Sequence, residues 1–123
     1  MFRIAEKIAE KIDAVALVTG ENVGQVASQT LSNIRATADV VDRPILRPLS
    51  GMNKEDIMNR AREIGTYKIS IEPYEDCCSF FVPIHPETRA NLDEVREIEA
   101  SINLNELYKS AMKNTKKITI GGK

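Results

Sequence analysis

An incomplete parallel α/β layer followed by C-terminal helices is the predicted fold class, and three observations predict it. Ala14-Val15-Ala16-Leu17-Val18 is apolar at every position, as suits a strand covered on both faces. A stretch of helical period from about Gly24 to Ala38 leads to a second short apolar run, the order of a right-handed βαβ unit. Only two core strands are evident, fewer than a sheet normally needs to stand alone, so the layer reads as part of a larger α/β domain.

Each element has its own signal. Ile4, Ile8 and Ile12, with Ala5 and Ala9 beside them, recur at spacings of four and draw one apolar stripe along a first helix. Thr19-Gly20 ends the strand that follows, and Val26, Ala27, Thr30, Leu31, Ile34 and Ala38 define the second helix. In Pro44-Ile45-Leu46-Arg47-Pro48-Leu49 the prolines confine a regular ladder to the middle, which predicts a brief or edge strand. Asn53 is an N-cap, Asp56 complements the positive helix end, and Ile57, Met58, Ala61 and Ile64 make the buried side before Gly65 stops the third helix.

From Thr66 to Pro86 the pattern becomes a long irregular stretch holding Cys77-Cys78 and Phe80-Phe81-Val82, and loops of that length are often functional. Asn91 with Glu94 and Asn103 with Glu106 open two closing helices with apolar faces Leu92, Val95, Ile98 and Leu104, Leu107, Tyr108, Ala111. Ile118-Thr119-Ile120 reads as a further short strand. The expected division is an α/β part over residues 1–86 and a helical extension over 87–123.

Composition removes several classes of function. The 123 residues carry 17 Lys and Arg against 18 Asp and Glu, a net charge of -1, so the global balance shows no nucleic-acid footprint. The longest apolar run, Ala14 to Val18, falls far short of the roughly 20 residues that cross a bilayer, so no membrane partner is expected. Glu6 and Glu10 argue against a transit peptide, and no apolar signal region is present. Two adjacent cysteines cannot clip a long loop, which points away from a secreted scaffold and to a reducing cytoplasm.

Chemistry is expected first in Thr19-Gly20-Glu21-Asn22-Val23-Gly24-Gln25. It lies beyond the carboxyl end of the first strand, where open α/β sheets bind ligands. Gly20 and Gly24 let a ligand approach the backbone, and amides at the helix start attract phosphate; the same glycines also serve a βα turn on steric grounds alone. Gln25, Ser28, Gln29 and Ser32 fall on one line of the second helix, either as hydrogen-bonding groups for a base or ribose or as a solvated face.

Glu72, Glu75 and Asp76 surround Cys77 and Cys78 and would raise a thiol pKa, which favours inert or buried cysteines over activated ones. The cysteine pair and His85 do not fill a recognisable metal-ligand pattern, and His85 reads as a loop residue. Lys109, Lys113, Lys116 and Lys117 suit either a solvated face or phosphate contact. Arg43 and Arg47 flank the second strand and suit either neighbouring carboxylates or a bound phosphate.

Residues Val18 to Leu31, running Val-Thr-Gly-Glu-Asn-Val-Gly-Gln-Val-Ala-Ser-Gln-Thr-Leu, resemble the nucleotide-binding segment of the tRNA 4-thiouridine synthase (tRNA sulfurtransferase) family, which is linked to thiamine biosynthesis. Ile45-Leu46-Arg47-Pro48-Leu49, Lys54-Glu55-Asp56-Ile57, Ile64-Gly65-Thr66 and Pro73-Tyr74-Glu75-Asp76-Cys77-Cys78 are similar to later landmarks of that family, in matching order and spacing. The resemblance implies an enzyme that activates uridine 8 of tRNA with ATP to an adenylated intermediate, which a persulfide sulfur displaces to leave 4-thiouridine. It further implies ATP contacts at Gly20, through the backbone, and at Gln29, through the amide, with magnesium in the complete enzyme. Sulfur handling maps most directly onto Cys77, with Cys78 the competitor, and tRNA and a cysteine desulfurase are the implied partners.

The family's Ser-Gly-Gly-x-Asp-Ser phosphate loop does not occur in these 123 residues. The resemblance therefore implies the latter half of a Rossmann-like, adenine-nucleotide hydrolase-like domain, begun inside a helix, with Met1 an artificial or truncated start. The expected consequences are weak ATP binding and no catalysis by the chain alone. The Ala14 to Val18 strand would then keep an apolar edge to be covered by self-association or by a complementing chain. The other reading is a non-catalytic α/β assembly or nucleotide-binding module that keeps the fold without the chemistry.

Overall fold

A computed structural model describes residues 1–74 and 85–121. Helix α1 (Phe2–Lys11) leads to strand β1 (Leu17–Val18), helix α2 (Leu31–Ala38) and strand β2 (Ile45–Leu46), then to α3 (Lys54–Glu63) and the single turn α4 (Tyr67–Ser70). The closing helices are α5 (Leu92–Ala100) and α6 (Leu104–Asn114). The two strands are parallel, with Leu17 opposite Ile45 and Val18 opposite Leu46, so β1-α2-β2 is the expected crossover unit.

Helix ends follow local chemistry. α1 closes with Ala14 N–H on the Ala9 carbonyl at 2.9 Å and Asp13 N–H on that of Glu10 at 3.4 Å, the pairing of a Schellman cap. The left-handed position of that cap is held by Asp13, at φ 55°, a conformation short polar side chains tolerate. α3 ends the same way with Gly65 at φ 78°, where Thr66 N–H reaches the Ala61 carbonyl at 2.9 Å. Asn53, Asn91 and Asn103 cap their helices as expected, accepting from the amides of Asp56, Asp93 and Glu106.

Several expectations are corrected. The first strand is two residues long rather than Ala14 to Val18, and it is not covered on both faces: Val15 is 84% and Val18 68% exposed. The second helix starts at Leu31, not Gly24, because Thr30 accepts the amide of Asn33 as an N-cap. Gly24 lies at φ 81° and its amide bonds the Gln29 carbonyl, so the preceding residues close as a loop. Ile118-Thr119-Ile120 forms no strand, and both isoleucines are exposed. Ile12, Ile64, Ile98 and Leu107, expected on apolar faces, are exposed, and α4 appears within the stretch read as irregular.

Among the described residues the buried apolar side chains are Ala9 and Ala36. α1 packs against β1 and α6, and α2 against α5. Ion pairs reinforce these contacts: Arg3 to Glu99 at 2.6 Å ties α1 to α5, and Arg96 ties α5 to Asp39 at the end of α2 through two bonds of 3.0 Å. No helix among the described residues is long and apolar enough to cross a membrane.

Candidate functional site

The turn that leaves β1 is built by polar side chains. Thr19 N–H extends the ladder by one bond, to the Leu46 carbonyl at 3.0 Å. Thr19 Oγ1 donates to Glu21 Oε2 at 3.0 Å, and Arg47 Nε, just beyond β2, donates to that same oxygen at 2.9 Å. Asn22 is 4% exposed. Its Nδ2 donates to the Met52 carbonyl at 2.6 Å, its Oδ1 accepts from Gly51 N–H at 3.3 Å, and its own N–H donates to Gln29 Oε1 at 2.9 Å. The turns after β1 and β2 are thereby locked together at the carboxyl end of the parallel pair.

Gly20 stands apart from this network. A Cβ added there would meet nothing within 4 Å, and its φ is not in the left-handed region, so neither packing nor backbone conformation within the chain demands glycine. Glu21, Ser28 and Gln29 line a groove of about 850 Å³ that continues between α1, α2 and α6 past Asn33, Val40 and Tyr108. That volume lies within the range of small-molecule sites, roughly 300 to 1,000 Å³. With its oxygen taken by Asn22, Gln29 keeps its amide NH₂ as the donor it can offer to a ligand. Gly20 itself is not among the groove's lining residues; it precedes Glu21, which is, and leaves open backbone at the exit of β1.

The expected line of Gln25, Ser28, Gln29 and Ser32 is not one helix face, since only Ser32 lies within α2. Gln29 reaches the site from the loop instead. Arg43 is settled as a strut: its Nε donates to the Ala14 carbonyl and its Nη1 to Glu6 Oε1, both at 2.8 Å. His85 and the four lysines from Lys109 to Lys117 are exposed. Cys77 and Cys78, with Phe80-Phe81-Val82, lie outside the described residues. A second cavity, of about 700 Å³, is walled by Arg3, Glu6, Lys7 and Glu10. Lys7 Nζ donates to both Glu10 oxygens at 2.9 Å, and that bond, then the Glu10 charge, raises the lysine above its ordinary pKa.

Two residues escaped the sequence reading. Asn22 is one, because hydropathy periodicity carries no mark of a buried amide. Asn33 is the other: its Nδ2 donates to the carbonyls of Ser28 (2.9 Å) and Glu87 (2.6 Å), and its Oδ1 accepts from Ala90 N–H at 3.0 Å. The chain that follows residue 84 is thereby fastened beside the turn.

Comparison with known proteins gives concordant results. The family model described as Thiamine biosynthesis protein (ThiI) matches residues 1–104. The probable tRNA sulfurtransferase of Natranaerobius thermophilus is 51% identical over 116 residues, covering 94% of this chain and 28% of the relative. That of Acetivibrio thermocellus is 50% identical over 120 residues, covering 98% of this chain and 31% of the relative. A crystal structure of a 4-thiouridine synthetase–RNA complex with bound ATP matches with a TM-score of 0.86 at 51% identity, covering 93% of this chain and 30% of that one. The chain spans about 30% of the length of these curated relatives.

Proposed function

The chain belongs to the thiamine biosynthesis protein (ThiI) family, and we propose that it forms the nucleotide-turn part of an ATP-dependent tRNA sulfurtransferase. The reaction is the conversion of uridine 8 of tRNA to 4-thiouridine. Uridine O4 attacks the α-phosphorus of ATP with loss of pyrophosphate, the outer sulfur of a persulfide attacks C4 and expels AMP, and a second thiol then cleaves the remaining S–S bond, releasing 4-thiouridine and leaving a disulfide. The observation that carries this reading is the strand-exit turn itself, where Gly20 is open to close approach and Gln29, bonded through its oxygen to the Asn22 amide, lines the groove with its NH₂ left to donate. The printed description of the solved relative, with RNA and bound ATP, supports it.

In this reading Gly20 meets the nucleotide through its backbone and Gln29 through its NH₂, with magnesium held on the phosphates. Cys77 takes the sulfur, in preference to Cys78, from a cysteine desulfurase, and the protein works in the cytoplasm. Residues 1–86 belong to the nucleotide-binding unit and 87–123 to its helical extension. Lacking the Ser-Gly-Gly-x-Asp-Ser sequence, the 123 residues alone bind ATP weakly and do not turn over. The exposed Val15 and Val18 support coverage of the β1 edge by a second copy or a complementing chain.

The test is ATP titration and 4-thiouridine formation by the intact protein, with Gly20→Val, Gln29→Leu, Cys77→Ser and Cys78→Ser. Weakened ATP binding is expected in the first two. Loss of sulfur transfer with retained pyrophosphate release is expected in Cys77→Ser only. Wild-type ATP affinity in both Gly20→Val and Gln29→Leu would refute the assignment of the turn.

A further inference from the structure

Arg47 has a half-buried charge for which the functional reading gives no purpose. Its side chain is 19% exposed, beside Glu21 at 21%. Nε is spent on Glu21 Oε2, Nη1 lies 3.5 Å from the Ile45 carbonyl, and Nη2 is buried with no hydrogen-bond partner among the described residues. Such a pair is a poor device for stability, because desolvating two charges offsets most of their attraction. Arg43 shows the contrast. It joins a backbone carbonyl to a carboxylate on α1 and so ties two elements of the fold.

What Arg47 holds is the turn itself. Glu21 Oε2 accepts from both Arg47 Nε and Thr19 Oγ1, so the two residues flanking Gly20 are joined to each other through one oxygen, and that oxygen is fixed from the end of the other strand. Asn22 is held next in line. Gly20 is thus presented from a frame that one guanidinium braces from the end of the second strand, beside the ladder bond of Thr19 and the clamp of Asn22.

We propose that Arg47 is a positioning residue for the nucleotide: acting through Glu21, it sets the direction in which the Gly20 backbone faces ATP. The inference rests on the nucleotide reading of the turn. Its test uses the intact protein with Arg47→Met, Arg47→Lys, the Arg47→Met/Glu21→Gln double variant, and Arg43→Met as a control. The double variant leaves no unpaired charge and keeps an acceptor for Thr19, so it separates positioning from damage to the fold.

ATP affinity should fall about tenfold to hundredfold in Arg47→Met and in the double variant, the range for losing a charged hydrogen bond. Arg47→Lys should recover part of it. Turnover at saturating ATP and tRNA affinity should stay within about twofold. Arg43→Met should lower the unfolding midpoint and leave ATP affinity alone. A folded double variant with wild-type ATP affinity overturns the inference and leaves the turn assignment standing, as do parallel losses of ATP and tRNA affinity. A wild-type protein that binds no ATP overturns both.

Discussion

The strand-exit turns and the helical flank are held together by opposite means. Between β1 and β2 the linking groups are buried or half-buried amides and a carboxylate–guanidinium pair, each with several partners. Between α1, α2, α5 and α6 the links that stand out are surface ion pairs, while Leu107 and Ile98 face water. Buried hydrogen bonds lose heavily when one partner is removed, whereas exposed ion pairs contribute little. The candidate site therefore sits on the more exactingly built of the two regions, although it contains no regular structure beyond two residues per strand.

Substitutions can break that contrast, beginning with the largest expected effect. Asn22→Ala leaves the Met52 carbonyl, the Gly51 amide and the space around them unsatisfied, and should cost about 2–3 kcal/mol in urea unfolding. A loss near that of a surface residue would show that the clamp is ornamental. Asn53→Ala removes a helix cap outside both regions and should cost about 1 kcal/mol, a yardstick for one exposed hydrogen bond. Arg96→Ala, in the flank, should cost no more than about 1 kcal/mol, and less in molar salt.

The pH dependence should be smallest of all. Lys7 has a folded pKa raised above 10.5, so whatever it contributes is complete at neutral pH and is lost only as pH rises through the folded value. Lys7 is an exposed residue, and Lys7→Met should leave the unfolding midpoint unchanged between pH 6 and 9, a window of about three units that lies below that titration. A pH-dependent difference in that window would give the flank an electrostatic weight the contrast denies it.

The sequence was most informative where a single residue decides the local conformation. Pro44 and Pro48 allowed only a brief strand, observed as Ile45–Leu46, and Asn53, Asn91 and Asn103 marked helix starts that the structure reproduces. The order of strands and helices was legible for the same reason. Periodicity misled where two conformations share a pattern: Val26 and Ala27 fit a helical stripe, yet the Gly24–Gln29 bond and the Thr30 cap hold them in a loop. It also overstated the core, because apolar spacing says which face could be covered and nothing about whether it is. In the candidate site, Gly20 and Gln29 were singled out through the family resemblance, while Asn22 and Asn33 act through contacts with residues 30 and 54 or more positions away.

Asn33 has a topological consequence. Its bond to the Glu87 carbonyl spans 54 positions and closes the neck of an excursion holding β2, α3 and α4, which the β1–β2 ladder and the Asn22 clamp also pin from within. Because the entropy of closing a flexible loop grows only with the logarithm of its length, ten extra residues inserted in a connection between the excursion's elements would add roughly 0.15 kcal/mol. Variation in length should therefore accumulate in those connections, with the neck kept as it is.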